Sequence, residues 1–539
     1  MAEPKSYFFV GDPGSGGVNS KDNVRDLADN ESPFILNMDI YQKGRVISRT
    51  GYEKWGDPIT AVTGGFRGLL RYYRSYGTDS GDYLLSFHSN GNGYKSTNTT
   101  PTPASIDTYG TDSGAVRGIV FNNTAVIGNG LAANVLKKWE GTGNLATLGG
   151  TPPDSKVFGC VNHCLLAVAT GTRTLYWADV DDAEDWTTGI ASNTVVQTKD
   201  GGAVRAIFEA NDQGMCFGEF SKHMMDLTFD NSDILARFAF KEKVDSSGGC
   251  CATGSVQHVV NTSGEMVVYL SAVSGFQSYG AIESYSDKRN PSDISYKIQP
   301  TTAKINFSAH DVINSETWKD KYICLVPFES SSKNNYAFVY SKEYGSWTLY
   351  NGMGFSDVTR FRDAFGQDQL IYASNGDPQL YKANNSFSDD GVGYDRAYVS
   401  KTWDFGNRTR IEWIDFSGSK VVGKDIYIDV WVDGRQLPTR KVTDTNLIQG
   451  TGGGYVADNW VGDNYAGGGF GNAGPNLYLW RGRFPITKTE GQNVYFKIYN
   501  NSDGGGFSFH TYGIKIAPVS AEVAKNVYSG EGGYLEPVI

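Results

Sequence analysis

The sequence predicts an all-β fold: a β-propeller of six or seven irregular blades with an N-terminal arm and a C-terminal β-sandwich-like domain. Three observations support this prediction. Glycine makes up 66 of the 539 residues and aromatic residues 13%, a composition typical of aromatic-rich short strands joined by tight turns. Apolar residues come in short bursts bounded by Gly, Asn, Asp and Ser, with little helical periodicity. The bursts recur mostly every ~40 to 50 residues, the length of one four-stranded blade.

The apolar bursts mark the predicted blade strands. They lie at 82–87, 116–128, 163–169, 204–218, 265–271, 322–328, 336–341 and 369–374. Several units repeat one internal order, in which a strand, a polar turn and a second strand are followed by an aromatic residue. In 334–352 we expect the first strand to end at Tyr340, the turn to include Gly345, and Trp347 to lead the next strand.

The stretch "TLYWADVDDAEDWTTG" (174–189) is the strongest candidate for a site. Its strand is expected to end near Ala178, and Trp177 and Trp186 are expected to pack against the sheets that the acidic loop joins. The loop lacks the Asp-x-Asp-x-Asp-Gly order of an EF-hand and has no glycine for the sharp bend. The sequence therefore favours a solvated turn, with a cation site as the alternative. The carboxylates concerned are Asp179, Asp181, Asp182, Glu184 and Asp185.

Three further motifs are interpreted as structural. "GDPGSGG" (11–17) lacks the Gly-Lys-Ser/Thr ending of a phosphate-binding loop, so we expect a flexible arm. "YGTDSG" occurs at 76–81 and again at 109–114, which favours repeated turns over a serine nucleophile. "NNSDGG" (500–505) predicts a hairpin turn.

The cysteines and histidines show no metal-ligand spacing. In "CVNHC" (160–164), Cys160 and Cys164 are expected to share one face of a strand as buried thiols, because no second Cys/His pair stands at zinc-ligand spacing. The six cysteines suggest a reduced protein, and the six histidines are scattered singly. "SKEYGSWT" (341–348) only approaches the sialidase turn, since Glu343 replaces the Asp. No catalytic, cofactor-binding or metal-binding residue is therefore predicted, and no enzyme activity is expected.

The charge balance argues against a nucleic-acid binder. The formal net charge is −11, and Lys and Arg are dispersed along the chain, unlike the clustered cations of proteins that grip phosphates. Such a surface suits a wall past which DNA slides without adsorbing. The start of the chain lacks a signal-peptide pattern, and no apolar run approaches the ~20 residues of a membrane span. We expect synthesis in the cytoplasm and no membrane span.

Composition changes near residue 395 and predicts four regions. They are an arm with the first strands (1–58), the propeller (59–395), a β-sandwich-like domain (396–520) and a tail (521–539). Long alternating stretches such as "DIYIDVWVDG" and "VYFKIYN" predict half-buried antiparallel strands in the third region. It also contains a glycine-rich insert, 450–474, whose aromatic residues suit either docking to a neighbour or plain disorder. These aromatics are Tyr455, Trp460, Tyr465 and Phe470.

Four stretches together resemble a known family. The first, "LADNESPFILNMDIYQKGRVISRTGYEKW" (27–55), contains Gly44, Arg45, Arg49 and Gly51. The others are 267–280, 335–352 and 400–416. They resemble tailed-bacteriophage tail proteins of the nozzle or hub type from short-tailed phages.

The resemblance implies a structural virion protein of the distal tail tube, made in the host cytoplasm. Six copies would form a ring around the DNA-ejection channel, docked to the tail adaptor or portal-proximal ring and to fibres or spikes. Phage DNA would pass through without specific binding. Two alternatives stay open at this point: a phage receptor-binding or glycan-cleaving propeller, and a cellular propeller scaffold, although no Trp-Asp repeat is present.

Overall fold

The computed structural model contains two compact units. The terminal unit combines residues 1–53, 344–351 and 383–539, and the propeller unit combines 54–343 and 352–382. The structure describes residues 7–11, 13–40, 45–60, 62–74, 81–110, 114–198, 201–210, 213–228, 237–241, 248–261, 264–280, 292–449 and 477–519. The glycine-rich insert, the tail, residues 76–80 of the first "YGTDSG" repeat and residues 111–113 of the second lie outside these residues.

The chain begins with short strands of the terminal unit. They are β1 (Tyr7–Gly11), β2 (Gly17–Val18), β3 (Glu31–Ser32), β4 (Phe34–Leu36), β5 (Met38–Ile40) and β6 (Val46–Ser48), followed by β7 (Tyr52–Lys54) at the boundary of the two units.

The propeller unit follows as a series of antiparallel sheets. In chain order its strands are β8 (Phe66–Arg74), β9 (Gly81–His88), β10 (Asn92–Ser96), β11 (Ala104–Thr108), β12 (Arg117–Phe121), β13 (Thr124–Gly128), β14 (Lys137–Trp139), β15 (Ala146–Thr147), β16 (Val157–Val161), β17 (Cys164–Val168), β18 (Thr174–Val180), β19 (Ser192–Val195), β20 (Val204–Ala210), β21 (Gln213–Gly218), β22 (Lys222–Thr228), β23 (Arg237–Lys241), β24 (Gln257–Asn261), β25 (Gly264–Ser271), β26 (Gly275–Gly280), β27 (Ser292–Asp293), β28 (Asn314–Trp318), β29 (Lys321–Val326) and β30 (Tyr336–Ser341). After β31 (Ser346–Asn351), which belongs to the terminal unit, come β32 (Phe355–Arg362), β33 (Asp368–Ser374) and β34 (Leu380–Ala383).

Six four-stranded sheets form the blades of a β-propeller. Five are consecutive along the chain, from β8–β11 to β24–β27, and the sixth contains β32, β33, β34 and β7. The first strands of neighbouring sheets contact each other in the order β32, β8, β12, β16 and β20, and β28 contacts both β24 and β32. The all-β propeller prediction is confirmed.

Neighbouring blades pack through their apolar faces, and the last blade packs on the first. Phe66 and Leu84 of the first blade share a buried cluster with Phe361 and Ile371 of the last. Within the last blade, the backbone N–H of Trp55, which follows β7, donates to Leu380 O at 2.9 Å. Packing of the last blade on the first removes apolar surface from water.

Asparagine-rich turns join the first two strands of two blades. Asn122 and Asn123 have φ of 44° and 62°, and Asn162 and His163 have φ of 49° and 63°. Two-residue hairpin loops of type I′ need positive φ at both positions, which Asn tolerates better than most residues. The second turn separates Cys160 from Cys164, which lie on opposite strands of a hairpin. The expectation that both thiols share one strand is therefore wrong.

The terminal unit ends in long antiparallel strands. They are β35 (Arg396–Val399), β36 (Trp403–Lys420), β37 (Ile426–Val432), β38 (Arg435–Gln436), β39 (Arg440–Val442), β40 (Tyr478–Asn500) and β41 (Phe507–Pro518). Both β40 and β41 pair with β36, which lies between them. The segment 500–505 therefore carries the chain across β36 to its other side, and the predicted hairpin turn is wrong.

The N-terminal strands are built into the same sheet as these C-terminal strands. Strand β1 pairs with β41, β4 pairs with β35, and β6 pairs with β41. Alternate residues of the long strands face an aromatic core, in which Phe416, Phe496 and Phe509 meet edge to face or tilted. Such ring pairs add stabilisation beyond the area they bury.

Helix is confined to short segments among the described residues. These are Tyr296–Ile298, Gln299–Thr302, Phe307–Val312 and Asp444–Asn446. None of the helices in the described part of the chain has the length and apolar character needed to cross a bilayer.

Candidate functional surfaces

The carboxylates of the acidic turn after β18 accept hydrogen bonds from the turn itself and from neighbouring segments. Asp179 accepts a bond from the Ile190 N–H at 3.0 Å, and Asp182 accepts one from the Glu184 N–H at 2.8 Å. Glu184 accepts from the Gly149 N–H and from Lys138, both at 2.7 Å. These bonds are those of a stabilised loop.

The remaining geometry of the turn agrees with a structural role. Hydrogen bonds from Thr188, by its hydroxyl and its N–H, and from the Thr187 N–H lower the pKa of Asp185. The indoles of Trp177 and Trp186 are buried and donate to Ile190 O and Ala183 O. No cluster of three His, Cys, Asp or Glu side chains that could hold a metal ion occurs in the described ranges.

The thiols of the propeller are protected by burial. Burial raises the pKa of Cys164, Cys216 and Cys324 to about 12 and that of Cys250 to about 11. Since the thiolate is the reactive form, these side chains are poor nucleophiles at neutral pH.

The glycine-rich motif 11–17 is packed into the terminal unit. Gly17 starts β2 with φ of +71°, and a Cβ there would lie 2.8 Å from the Trp347 carbonyl oxygen. The glycine thus allows two backbones to approach closely. The expectation of a flexible arm is wrong for the described residues 13–17, because their packing partner comes from a distant part of the chain.

Arg49, one of the residues that carry the family resemblance, forms a buried ion pair. Its Nη1 and Nη2 donate to Asp389 at 2.8 and 2.6 Å, and its guanidinium lies 3.9 Å from the Tyr394 ring centroid. Its Nε donates to Asn37, and Asn37 also donates to Asn351. Residues about 300 positions apart in sequence therefore meet around one guanidinium.

A polar cluster at one mouth of the propeller has no sequence motif to announce it. The Lys156 Nζ lies 2.8 Å from the Asp311 carboxylate, and Arg117 donates to the Ile313 carbonyl at 2.9 Å. Burial would raise the pKa of Asp311, but the hydrogen bond and charge of Lys156 lower it. Because β12 and β16 lie across the ring from β28, the segment before β28 crosses this mouth.

The turn between β32 and β33 displays an aromatic ring to solvent. Phe365 is 82% exposed, although the turn itself is well ordered by hydrogen bonds. Asp363 accepts from the Phe365 and Gln367 N–H groups, both at 2.8 Å, and Gly366 supplies a φ of +80°. Sequence reasoning missed this feature, since a single Phe in a polar turn has no distinguishing pattern.

More aromatic and cationic side chains surround this turn. Arg362 stands over Tyr73 with 5.7 Å from guanidinium to ring centroid, and Lys319 stands over Trp318 at 4.3 Å. The Trp318 indole donates to the Asp368 carbonyl at 3.3 Å, which joins the two pairs. We call Tyr73, Trp318, Lys319, Arg362 and Phe365 the aromatic–cationic patch.

A second aromatic surface lies on β37 and β40 of the terminal unit. Trp431 and Tyr495 stack at 4.8 Å between centroids and 5° between planes, and Tyr427 and Tyr499 stack at 5.6 Å and 27°. The Lys497 Nζ lies 4.6 Å from the Tyr499 centroid. All are half-buried, because the alternate residues of β37 face the core.

Comparison with known proteins yields structural likenesses alone. No protein-family model matches the chain, and no curated protein matches it significantly. Solved structures that resemble it include the computationally designed Ika8 protein, with 10% identity, 61% of this chain and 99% of that chain covered, and a TM-score of 0.34. The match to the structure of U3-55K covers 60% of this chain and 97% of that chain, with 10% identity and a TM-score of 0.36. The match to the WD40 repeats of RRP9 covers 61% of this chain and 98% of that chain, with 9% identity and a TM-score of 0.36.

Proposed function

We propose that this chain is a structural virion protein of a short-tailed bacteriophage. In this proposal it forms the distal tail tube, or nozzle, as a ring of six copies around the DNA-ejection channel. The ring docks to the tail adaptor and to fibres or spikes, and DNA passes it without specific binding. The role is structural rather than catalytic.

One observation supports the proposal most strongly. The resemblance to nozzle proteins rests on separate stretches of sequence, and three of them meet in the terminal unit. Asn37 and Arg49 from 27–55 contact Asn351 and Tyr350 from 335–352. Strand β4 also comes from 27–55, and β36 contains most of 400–416. In the sheet of the terminal unit these two strands are separated by β35 and β40, in the order β4, β35, β40 and β36. Scattered similarities that converge on one core are expected if they record a shared fold.

The charge and architecture are compatible with a conduit. A net charge of −11 disfavours adsorption of a polyanion at close range. Propeller blades form rigid blocks whose turns are available for contacts at both ends. These properties also occur in other proteins, so the resemblance carries the proposal.

The decisive test is cryo-electron microscopy of the intact particle that carries this chain. We expect propeller-shaped density in a ring around the tail axis, distal to the adaptor. Density at fibre tips, or none on the axis, would overturn the tail-tube assignment.

A receptor-binding role is the second candidate, and the stacked aromatics of β37 and β40 favour it. Aromatic surfaces with neighbouring polar groups are common in ligand sites. Glycan-array binding by the purified chain, lost in a Trp431→Ala variant and retained in a Val273→Ser variant, would support this role. Equal binding by both variants would exclude this surface.

A further inference from the structure

The segment that crosses one mouth of the propeller is anchored at its ends and free of core residues between them. Ile305 and Ile313 are buried at its two ends, and none of residues 306–312 is buried. At the second end the Asn334 side chain donates to the Val312 carbonyl at 2.6 Å. We call 306–312 the strap. Its middle can move without taking an apolar side chain out of the core, which is the property of a segment that opens locally at low cost.

Cations at the start of the first strands of successive blades hold the middle of the strap. The Lys156 Nζ lies 2.8 Å from the Asp311 carboxylate, and Arg117 donates to the Asp311 carbonyl at 3.3 Å. Burial would raise the pKa of Asp311, but Lys156 and, to a smaller extent, Arg205 lower it. The Asp311 side chain is 46% exposed, so its carboxylate lies at the surface, where another carboxylate can exchange with it.

The charge balance at this mouth requires the carboxylate that Asp311 supplies. Arg205 is also paired with Glu219 at 3.1 Å, and the charge of Arg117 acts on Asp357. Without Asp311, the three cations would therefore face two carboxylates. A partly buried cation that has no matching anion keeps its desolvation cost. The mouth is thus built for one more carboxylate, whichever molecule provides it.

From this arrangement we propose that the mouth is a carboxylate-binding site that Asp311 fills from within the chain. A carboxylate of another molecule takes the place of Asp311 on Lys156, and the strap then leaves the mouth. The hydrogen bond formed is charge-assisted and equivalent to the one that is broken. An acidic segment of a partner protein and a free organic acid share this chemistry. The inference goes beyond the tail-tube role and does not depend on it.

Binding of a fluorescent hexaglutamate peptide to the purified full-length chain tests the site, with anisotropy measured at low salt. The unaltered chain should bind the peptide weakly, because Asp311 competes for the same cation. Asp311→Ala should bind it about fivefold more tightly, as expected when a partly exposed ion pair no longer competes. Lys156→Met should weaken binding in the unaltered chain and in the Asp311→Ala chain.

Two further measurements follow the strap and the source of the carboxylate. Hydrogen exchange in 306–312 of the unaltered chain should increase when the peptide is bound, because the strap has left the mouth. Sodium acetate is then added as a competitor at the same concentration of carboxylate. Competition by acetate would assign the site to free organic acids, and binding that acetate does not reduce would assign it to an acidic protein segment.

Two control variants separate the site from general effects. Lys333→Met removes an exposed lysine of the same unit, whose Nζ donates to the Asn375 carbonyl at 3.2 Å. It changes the net charge as Lys156→Met does and should leave peptide binding unaltered. Asp311→Asn keeps the size of the side chain without its charge and should bind the peptide more tightly, as Asp311→Ala does. The thermal midpoint of each variant checks that the blades remain folded.

Three results would overturn the inference. Equal binding by the unaltered, Asp311→Ala and Lys156→Met chains would show that the peptide binds elsewhere. An Asp311→Ala chain that stays folded and binds neither peptide nor acetate would show that the mouth is no carboxylate site. Binding that needs Lys156 but leaves exchange in 306–312 unchanged would show that the strap is not displaced. None of these results bears on the position of the chain in a particle, so the tail-tube proposal is tested separately.

Discussion

Replacing Asp389 by Asn leaves the Arg49 guanidinium buried without a charged partner at that position. The two side chains are 3% and 10% exposed and form two hydrogen bonds. Breaking a buried pair at one end costs about 3 to 5 kcal/mol, since the remaining charge keeps its desolvation penalty. A whole domain is stable by about 5 to 15 kcal/mol, so the change removes a large part of the stability of the terminal unit.

The measurement is urea unfolding followed by tryptophan fluorescence, with Asp389→Asn compared with the unaltered chain. The matched control is Glu490→Gln, which breaks a pair to Arg408 whose side chains are 40% and 73% exposed. Exposed pairs contribute about 0 to 1 kcal/mol, so the control should change little. The double change Arg49→Met with Asp389→Leu should cost less than Asp389→Asn alone, because it removes both charges. Equal small losses in Asp389→Asn and Glu490→Gln would refute the buried-pair argument.

Three further predictions concern titration and reactivity. Burial raises the pKa of Asp357 to about 6 from an ordinary value of 3.8, so the ionised carboxylate destabilises the fold increasingly as the pH rises from ~4 to ~6. Asp357→Asn should therefore remove about 3 kcal/mol from the pH dependence of the free energy of unfolding. Parallel pH profiles for the variant and the unaltered chain would contradict this prediction. Lys156→Met should increase hydrogen exchange in 306–313 and leave exchange in the neighbouring blade, near 208, unchanged, because Lys156 holds Asp311. Equal exchange of 306–313 in the variant and the unaltered chain would show that other contacts hold the segment. The native chain should react with at most one equivalent of a thiol reagent at pH 8, at the half-buried Cys160, and with six after unfolding; rapid reaction of several thiols in the native state would show that the blades open.

Several strands and turns were predictable because their signals are local. Apolar bursts bounded by polar turns predicted the strand at 336–341 and a following strand led by Trp347, and the structure has strands Tyr336–Ser341 and Ser346–Asn351. The acidic residues after β18 were likewise predicted to form a turn. A strand pattern repeats over a few residues, and a turn depends on residues next to each other.

Long-range partners were not predictable from these signals. The sequence suggested that "GDPGSGG" is a free arm, yet Gly17 approaches the backbone of Trp347. It also suggested a hairpin at 500–505, yet β36 lies between the strands which that segment joins. Nothing in a run of glycines or a turn motif specifies which distant strand will lie beside it.

The sequence by itself determined the all-β class, the blade repeat and the negative net charge, since composition and short-range periodicity are enough for these. Only the tertiary structure decided that Arg49 is buried against Asp389, that the N-terminal strands join the C-terminal sheet, and that Phe365 is displayed beside Arg362. Each of these depends on contacts between residues far apart along the chain or on exposure after packing. Those are properties of the whole fold, because burial and pairing are set by what surrounds a residue and not by its sequence neighbours.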